Sequence, residues 1–131
     1  MRKIKFRGMC IVGESAGKWF CGDLSTDRLK DGKCTIWDEN NPFSGYYVNP
    51  DTVGQFTGCL DFFGNEIYEG DILHYKGSYF GVVQWHRDGY FFINDRLNIS
   101  SPVLDSFRSL GEMTNKYPFV VYSNIHETPT R

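Results

Sequence analysis

The fold is decided by the stretch Val53-Gly54-Gln55-Phe56-Thr57-Gly58-Cys59-Leu60-Asp61-Phe62-Phe63-Gly64-Asn65-Glu66-Ile67-Tyr68-Glu69-Gly70-Asp71-Ile72-Leu73. Residues 61–66 predict a tight reversal, because an aspartate bonds its own backbone and Gly-Asn tolerates positive φ. Residues 69–71 predict a second turn, which leads into an apolar strand at 72–75. Two turns this close to apolar runs indicate antiparallel β structure.

The segments on both sides continue this pattern. Downstream, Lys76-Gly77-Ser78 predicts a turn, Asp88-Gly89 gives the signal of a type I′ hairpin, and strands are expected at 79–85, 90–93 and 117–122. Upstream, short strands are expected at 18–21, 35–37 and 46–48. A helix is expected at 101–111, from Ser101 as N-cap and Pro102 to Gly111 as the C-terminal stop, with a second short helix at 25–30. The fold class is therefore mainly β: a single domain built around a small SH3-like barrel or a strongly bent antiparallel sheet, with one or two short helices.

Composition excludes several classes of function. The chain has 131 residues, of which 17% are aromatic, a net charge of −2 and a pI of about 5.9. A net negative charge disfavours a protein that binds nucleic acid over its whole surface. No apolar segment follows the basic start and no run approaches 18 apolar residues, so we expect neither a signal peptide nor a membrane partner, and a cytoplasmic location.

Cysteine spacing gives no metal or disulfide signature. Cys10, Cys21, Cys34 and Cys59 include no Cys-x-x-Cys pair. Without a secretory signal, we interpret them as reduced, half-buried thiols. We expect no cofactor and no metal.

Gly13-Glu14-Ser15-Ala16-Gly17 matches the nucleophile motif of α/β-hydrolases. That motif requires a strand, a turn and a helix, whereas residues 18–21 predict a strand. A hairpin loop is therefore the favoured interpretation, and a hydrolase using Ser15 is the remote alternative. We expect no catalytic residue.

At the N-terminus, every second residue from position 3 to position 7 is basic. Residues 2–7 predict a strand that places Arg2, Ile4 and Phe6 on one face and the basic Lys3, Lys5 and Arg7 on a solvated face. Such a stripe suits a phosphate or an acidic partner, and it complements the acidic residues of 61–71.

Several blocks, taken together, resemble the YopX family of small phage and prophage proteins. They are Val48-Asn49-Pro50-Asp51-Thr52-Val53-Gly54-Gln55-Phe56-Thr57-Gly58, Asp61 with Gly64, Ile67-Tyr68-Glu69-Gly70-Asp71-Ile72, Gly81-Val82-Val83-Gln84-Trp85 and Ser123-Asn124-Ile125-His126-Glu127-Thr128-Pro129. The resemblance implies a single domain over 1–131. Residues 1–50 would form an N-terminal β segment, 51–127 the family block with the barrel-like meander and the last strand, and 128–131 a loose tail. It also implies a phage accessory protein that forms homo-oligomers, and it supplies no catalytic residues.

We therefore expect a non-enzymatic accessory protein that self-assembles and binds a host or phage macromolecule in the cytoplasm of a bacterial cell. The candidate interaction surface comprises side chains that turn chemistry does not explain, together with the basic stripe: Lys3, Lys5, Arg7, Gln55, Tyr68, Glu69 and Asp71. The alternative is a small nucleic-acid-binding barrel in which Tyr79, Trp85, Tyr90 and Phe92 stack on bases.

Overall fold

The computed structural model describes residues 3–27, 33–94 and 109–127. Their strands are β1 (Phe6–Met9), β2 (Trp19–Asp27), β3 (Lys33–Asp38), β4 (Gly45–Val48), β5 (Gly54–Leu60), β6 (Glu66–Tyr68), β7 (Asp71–Tyr75), β8 (Ser78–His86), β9 (Tyr90–Asn94) and β10 (Val120–Asn124). One α-helix, α1 (Leu110–Lys116), and 3₁₀ turns at Gly13–Ser15 and Pro50–Thr52 complete the described elements. The mainly β class is confirmed.

The described strands form two antiparallel sheets, with the orders β4-β3-β2-β1-β5-β6 and β10-β7-β8-β9, and neither is a closed barrel. The sequence predicts a single SH3-like barrel or one strongly bent sheet, whereas the described strands form two separate sheets. The chain divides into two compact units, residues 1–56 and residues 57–131. Strand β5 crosses that boundary, and the single domain over 1–131 stays a prediction.

In the first unit, the β4 edge of the six-stranded sheet returns to the end of β1. Besides pairing with β3, β4 is bridged to the end of β1 through Cys10 and Val48. The Ile11 N–H donates to the Tyr47 carbonyl (3.0 Å), beside that bridge. A Cβ on Gly8 would lie 2.8 Å from the Val48 side chain, so only glycine permits this approach.

The second unit packs α1 against the four-stranded sheet. Its core contains Ile67, Leu73, Val83, Phe91, Ile93, Leu110, Met113 and Phe119. Leu73 and Val83 are central because alternate positions of β7 and β8 point to the same face of the sheet. The opposite face of this sheet points away from that core.

The hairpins differ from expectation in the type of turn. Lys76 (φ 51°) and Gly77 (φ 80°) are both left-handed and join Tyr75 directly to Ser78, which is a two-residue I′ loop. The type I′ prediction at Asp88-Gly89 is wrong. There His86 pairs with Tyr90, so the loop has three residues, and of these only Gly89 is left-handed.

Two further predictions are corrected by the described residues. Gly111 does not end a helix, because it lies in the first turn of α1, whose N-cap Ser109 accepts a hydrogen bond from the Glu112 N–H. The rest of the helix expected at 101–111 lies outside the described residues. The short helix expected at 25–30 is wrong at its start, since β2 continues to Asp27, and its remainder also lies outside them.

Candidate interaction surfaces

The basic stripe is not a solvated face. Lys5 is only 4% exposed, whereas Ile4 is 66% exposed, which reverses the predicted orientation of both side chains. The Lys5 ammonium donates to Glu39 Oε2 at 2.7 Å and lies 5.4 Å from the centre of the Phe56 ring. The ladder begins only at Phe6, so alternation does not extend back to these residues. Sequence alternation alone predicts neither the burial of Lys5 nor its pairing with Glu39.

The other candidates in the first unit, Lys3, Arg7 and Gln55, are exposed or half-buried. Lys3 is exposed, and Arg7 is half-buried with its guanidinium 5.1 Å from the centre of the Trp19 ring. Gln55 is half-buried and pairs with Phe6 across β1 and β5. Together with Lys5, these residues belong to the first unit.

The three remaining candidates belong to the second unit. Asp71 is 1% exposed, and its Oδ2 accepts a hydrogen bond from the Tyr68 N–H at 2.7 Å. Tyr68 is buried, with its hydroxyl 3.2 Å from Glu66 Oε1, and Glu69 is half-buried. Tyr68 and Asp71 are therefore turn and core residues in this unit, and their part in an interaction surface stays a prediction.

The lysine–tryptophan cleft is a cavity of about 410 Å³ in the first unit. Its charged lining residues are Lys3, Lys5, Asp23, Asp38 and Glu39, and its uncharged ones are Ile4, Gly22, Trp37 and Pro42. The Trp37 indole is 41% exposed and fixed by a hydrogen bond from its Nε1 to Ser25 Oγ (3.1 Å). Because Lys5 is paired with Glu39, the cleft presents an indole, an isoleucine and a proline within a charged rim.

The phenylalanine tip, Phe62 and Phe63, projects from the reversal between β5 and β6. The two rings are 66% and 71% exposed and contact each other edge to face, with centroids 5.3 Å apart. The predicted reversal is confirmed, and Gly64 has a φ of 84°. The sequence signal for the tip is two adjacent aromatic residues at the positions of a turn that are usually polar.

Asp61 fixes the backbone of this tip. Its Oδ1 accepts hydrogen bonds from the N–H groups of Phe63 (2.9 Å) and Asn65 (2.8 Å), and its Oδ2 accepts one from the Val121 N–H (3.0 Å). The Phe62 N–H donates to the Phe119 carbonyl at 2.8 Å. Burial raises the pKa of Asp61, but these hydrogen bonds outweigh burial and hold the pKa below its ordinary value of 3.8.

The outer face is the side of the sheet β10-β7-β8-β9 that points away from the core of the second unit. Strand register places these residues on it: Ile72, His74, Tyr79, Val82, Gln84, His86, Tyr90, Phe92, Asn94, Val120, Tyr122 and Ser123. These positions include no Asp, Glu, Lys or Arg. Tyr122 is 52% exposed, so part of this aromatic face is open.

Histidine rings organise the outer face. His74 stacks on Tyr122 with ring centroids 4.0 Å apart, and His86 stacks on Tyr90 at 4.6 Å. The Phe92 ring meets His86 edge-on at 5.6 Å. Burial lowers the pKa of His74 from its ordinary value of 6.5, which keeps the ring neutral at pH 7.

The four aromatic residues expected to stack on bases are separated by the sheet. Tyr79, Tyr90 and Phe92 lie on the outer face, whereas Trp85 lies on the core side, with its ring 4.7 Å from that of Phe91. The sequence shows all four as aromatic residues of two neighbouring strands. Their separation follows from strand register, which alternates the faces.

Ser15 and the four cysteines lie in the following places. Ser15 lies in the 3₁₀ turn of the hairpin between β1 and β2, as predicted for 13–17. Cys10 and Cys34 are buried, and Cys21 and Cys59 are half-buried. Within residues 3–27, 33–94 and 109–127, no cluster of three His, Cys, Asp or Glu side chains has metal-binding geometry. The described part of the chain also has no helix long and apolar enough to cross a membrane.

Comparison with known proteins gives one match and one negative result. The family model described as YopX protein matches residues 7–131. No curated protein matches the sequence. The matched span includes the reversal at 61–65, the turn at Glu69 and Gly70, and both strands of the hairpin β7–β8, whereas Lys3, Ile4 and Lys5 of the cleft lie before it. The chain belongs to the YopX family.

Proposed function

We propose that this YopX-family chain is a non-enzymatic phage or prophage accessory protein that assembles with itself and binds a host or phage macromolecule in the bacterial cytoplasm. Family membership supports a phage-type protein. The observation that carries the self-assembly is the uncharged, aromatic outer face of the second unit.

An uncharged face suits a second copy of the same chain. In a two-fold dimer the same patch meets itself, so any charged residue near the axis faces a like charge. The outer face avoids this repulsion because its twelve described positions are apolar, aromatic, amide, hydroxyl or imidazole side chains. Aromatic residues are also enriched at the centres of interfaces.

The area of the outer face sets the expected strength of self-association. Four strands about 4.8 Å apart and five residues of about 3.3 Å each give an outline of roughly 300 Å² per copy, before side-chain relief. Specific interfaces of standard size bury roughly 800 Å² per partner. We therefore expect weak association that depends on protein concentration.

Sedimentation velocity over a concentration series tests the proposal with Tyr122→Lys, which places a charge at the exposed part of the face. We expect this variant to weaken self-association at least tenfold, because a charge must then be desolvated against its own copy. The matched control is Tyr47→Lys, the same change at a tyrosine of β4 that is also exposed. A wild-type protein that is monomeric throughout, or equal effects of the two variants, would refute the outer face as the contact.

Nucleic acid is the alternative occupant of the same face. Tyr79, Tyr90 and Phe92 share this face and could stack on bases, but its described positions supply no Lys or Arg for phosphates. Adding a single-stranded oligonucleotide at low and at high salt distinguishes the two occupants. A complex that forms only at low salt would favour nucleic acid, whereas no complex would leave the second copy as the occupant.

A further inference from the structure

We propose that the phenylalanine tip of one copy inserts into the lysine–tryptophan cleft of another copy, which makes a head-to-tail contact distinct from the outer face. This inference rests on the self-assembly proposed above, because both require copies of this chain to meet. It adds a second contact between two different surfaces of the same chain, in which the projecting tip of one copy enters the cavity of another.

The tip has the properties of an anchor. Phe62 and Phe63 expose most of their surface, although side chains of this size usually contribute to a core or an interface. Five hydrogen bonds already fix the backbone of 61–65: two to Asp61 Oδ1, one from Phe62 to Phe119, and the Asp61–Asn65 and Gly64–Asp61 backbone bonds. A pre-organised turn loses little conformational entropy when it binds. The tip can therefore bind without reorganising the chain.

The cleft has the size and lining to receive the tip. A cavity of roughly 150 Å³ holds one benzene ring, so two phenyl rings need roughly 300 Å³. The cleft offers about 410 Å³. Its indole, Trp37, and the exposed side chain of Ile4 supply apolar contacts, and Lys3 is an exposed lining residue whose ammonium could contact an aromatic face.

A neutral tip does not disturb the ion pair in the cleft. The tip itself, Phe62-Phe63-Gly64, carries no charge. It therefore leaves the Lys5–Glu39 ion pair intact within the cleft, whereas a charged side chain would compete for one member of that pair. A second copy supplies a tip of matching size and neutrality at the same concentration as the cleft.

The test uses complementary variants. All are made in a Tyr122→Lys background, which disables the outer face, so that the result does not depend on it. Phe62→Ser/Phe63→Ser removes the tip, and Ile4→Asp places a carboxylate in the cleft at a side chain that is already exposed. Trp37→Ala is a second cleft variant, and Ile125→Ser is a control at an exposed apolar residue that belongs neither to the tip nor to the outer face. Circular dichroism checks that each variant is folded.

We expect the background protein to self-associate, and the tip variant and each cleft variant to weaken its dissociation constant roughly 30-fold or more, as the loss of an anchor residue does. The control should associate like the background. An equimolar mixture of tip and cleft variants should form a heterodimer, because one partner retains the only intact tip and the other the only intact cleft. Light scattering or sedimentation measures each mass.

Three results would overturn the inference: a monomeric background protein, a tip variant that associates like the control, or a mixture that stays monomeric. These failures are separable from those of the outer face. If Tyr122→Lys alone abolishes association, the outer face stands and the tip contact fails. If Tyr122→Lys associates as strongly as wild type and loses association with the tip, the tip contact stands and the outer face fails. If Tyr122→Lys associates more weakly than wild type and loses the remaining association with the tip, both contacts stand.

Discussion

Asp61 shows how much structure a single carboxylate organises in this chain. Its two oxygens accept hydrogen bonds from backbone groups next to it and from Val121, which is 60 positions away in the sequence. The residue therefore joins the reversal after β5 to the start of β10. The local part of this role is visible in the sequence, because an aspartate before Gly-Asn favours a turn. The bond to Val121 is visible only in the fold.

We predict that Asp61→Ala lowers the free energy of unfolding by about 2–3 kcal/mol, because buried backbone donors lose a charged acceptor. Asp51→Ala is the matched control at an exposed aspartate and should change stability by less than about 0.5 kcal/mol. Urea denaturation at neutral pH measures both. Equal stability of the two variants would show that the Asp61 bonds contribute nothing net.

The same residue predicts a dependence on acid. The folded pKa of Asp61 lies below its ordinary 3.8, so the unfolded chain takes up this proton at a higher pH than the folded chain. The stabilisation is therefore fully present above pH 3.8 and is lost as the pH falls through the lowered pKa. Asp61→Asn removes this carboxyl and should flatten that part of the acid denaturation curve relative to wild type. An unchanged curve would contradict the assignment.

Helix α1, like Asp61, combines a feature that the sequence shows with a position that only the fold decides. Ser109 and Glu112 have the spacing of a capping box, and the Ser109 hydroxyl oxygen accepts a hydrogen bond from the Glu112 N–H. The sequence prediction instead used Ser101, Pro102 and Gly111 as the boundaries of a helix. Glycine often follows the last turn of a helix, but here Gly111 occupies the first turn, because burial of Leu110 and Met113 fixes where α1 lies.

We predict that Gly111→Ala stabilises the protein by about 0.5–1 kcal/mol. A Cβ at this position meets no atom within 4 Å, and alanine reduces the conformational entropy of the unfolded chain. Thermal or urea denaturation measures the gain. Gly8→Ala is the contrasting control, since its Cβ would press on Val48 and should cost about 1–3 kcal/mol. Destabilisation by Gly111→Ala would contradict the placement of this residue in α1.

At the scale of the whole molecule, two units offer three surfaces for association. The lysine–tryptophan cleft belongs to the first unit, and the phenylalanine tip and the outer face belong to the second. Because the proposed contacts use separate residues, variants in one leave the other unchanged, and their effects should add.

The outer face predicts a response to pH. Burial keeps the pKa of His74 below 6.5, so the unfolded chain binds this proton first as the pH falls, and stability decreases below pH 6.5. The ring faces Tyr122, Val120 and Tyr79, which offer no counter-charge. Protonation also places like charges across a two-fold contact, so self-association should weaken on acidification.

His74→Phe keeps a flat ring for stacking on Tyr122 and removes the titration. We expect it to abolish part of the loss of association between pH 7 and pH 5, measured by sedimentation velocity, relative to the control His126→Asn outside the face. The pH interval spans the ordinary histidine pKa of about 6.5. A loss of association identical to wild type would show that His74 has no part in it.

The sequence by itself determined the β class, the family, strands that overlap β2, β3, β4, β7, β8, β9 and β10, and the reversals at 61–65 and at Glu69 and Gly70, but it did not predict β5 or β6. These features depend on neighbours in the chain: alternation of side chains, and turn residues with special backbone freedom. Only the tertiary structure decided that Lys5 is buried with Glu39, that Trp85 and Tyr90 lie on opposite faces, and that an uncharged outer face exists. Each of these depends on strand register or on residues distant in sequence, and a shift of one residue in register exchanges the buried and exposed faces of a strand.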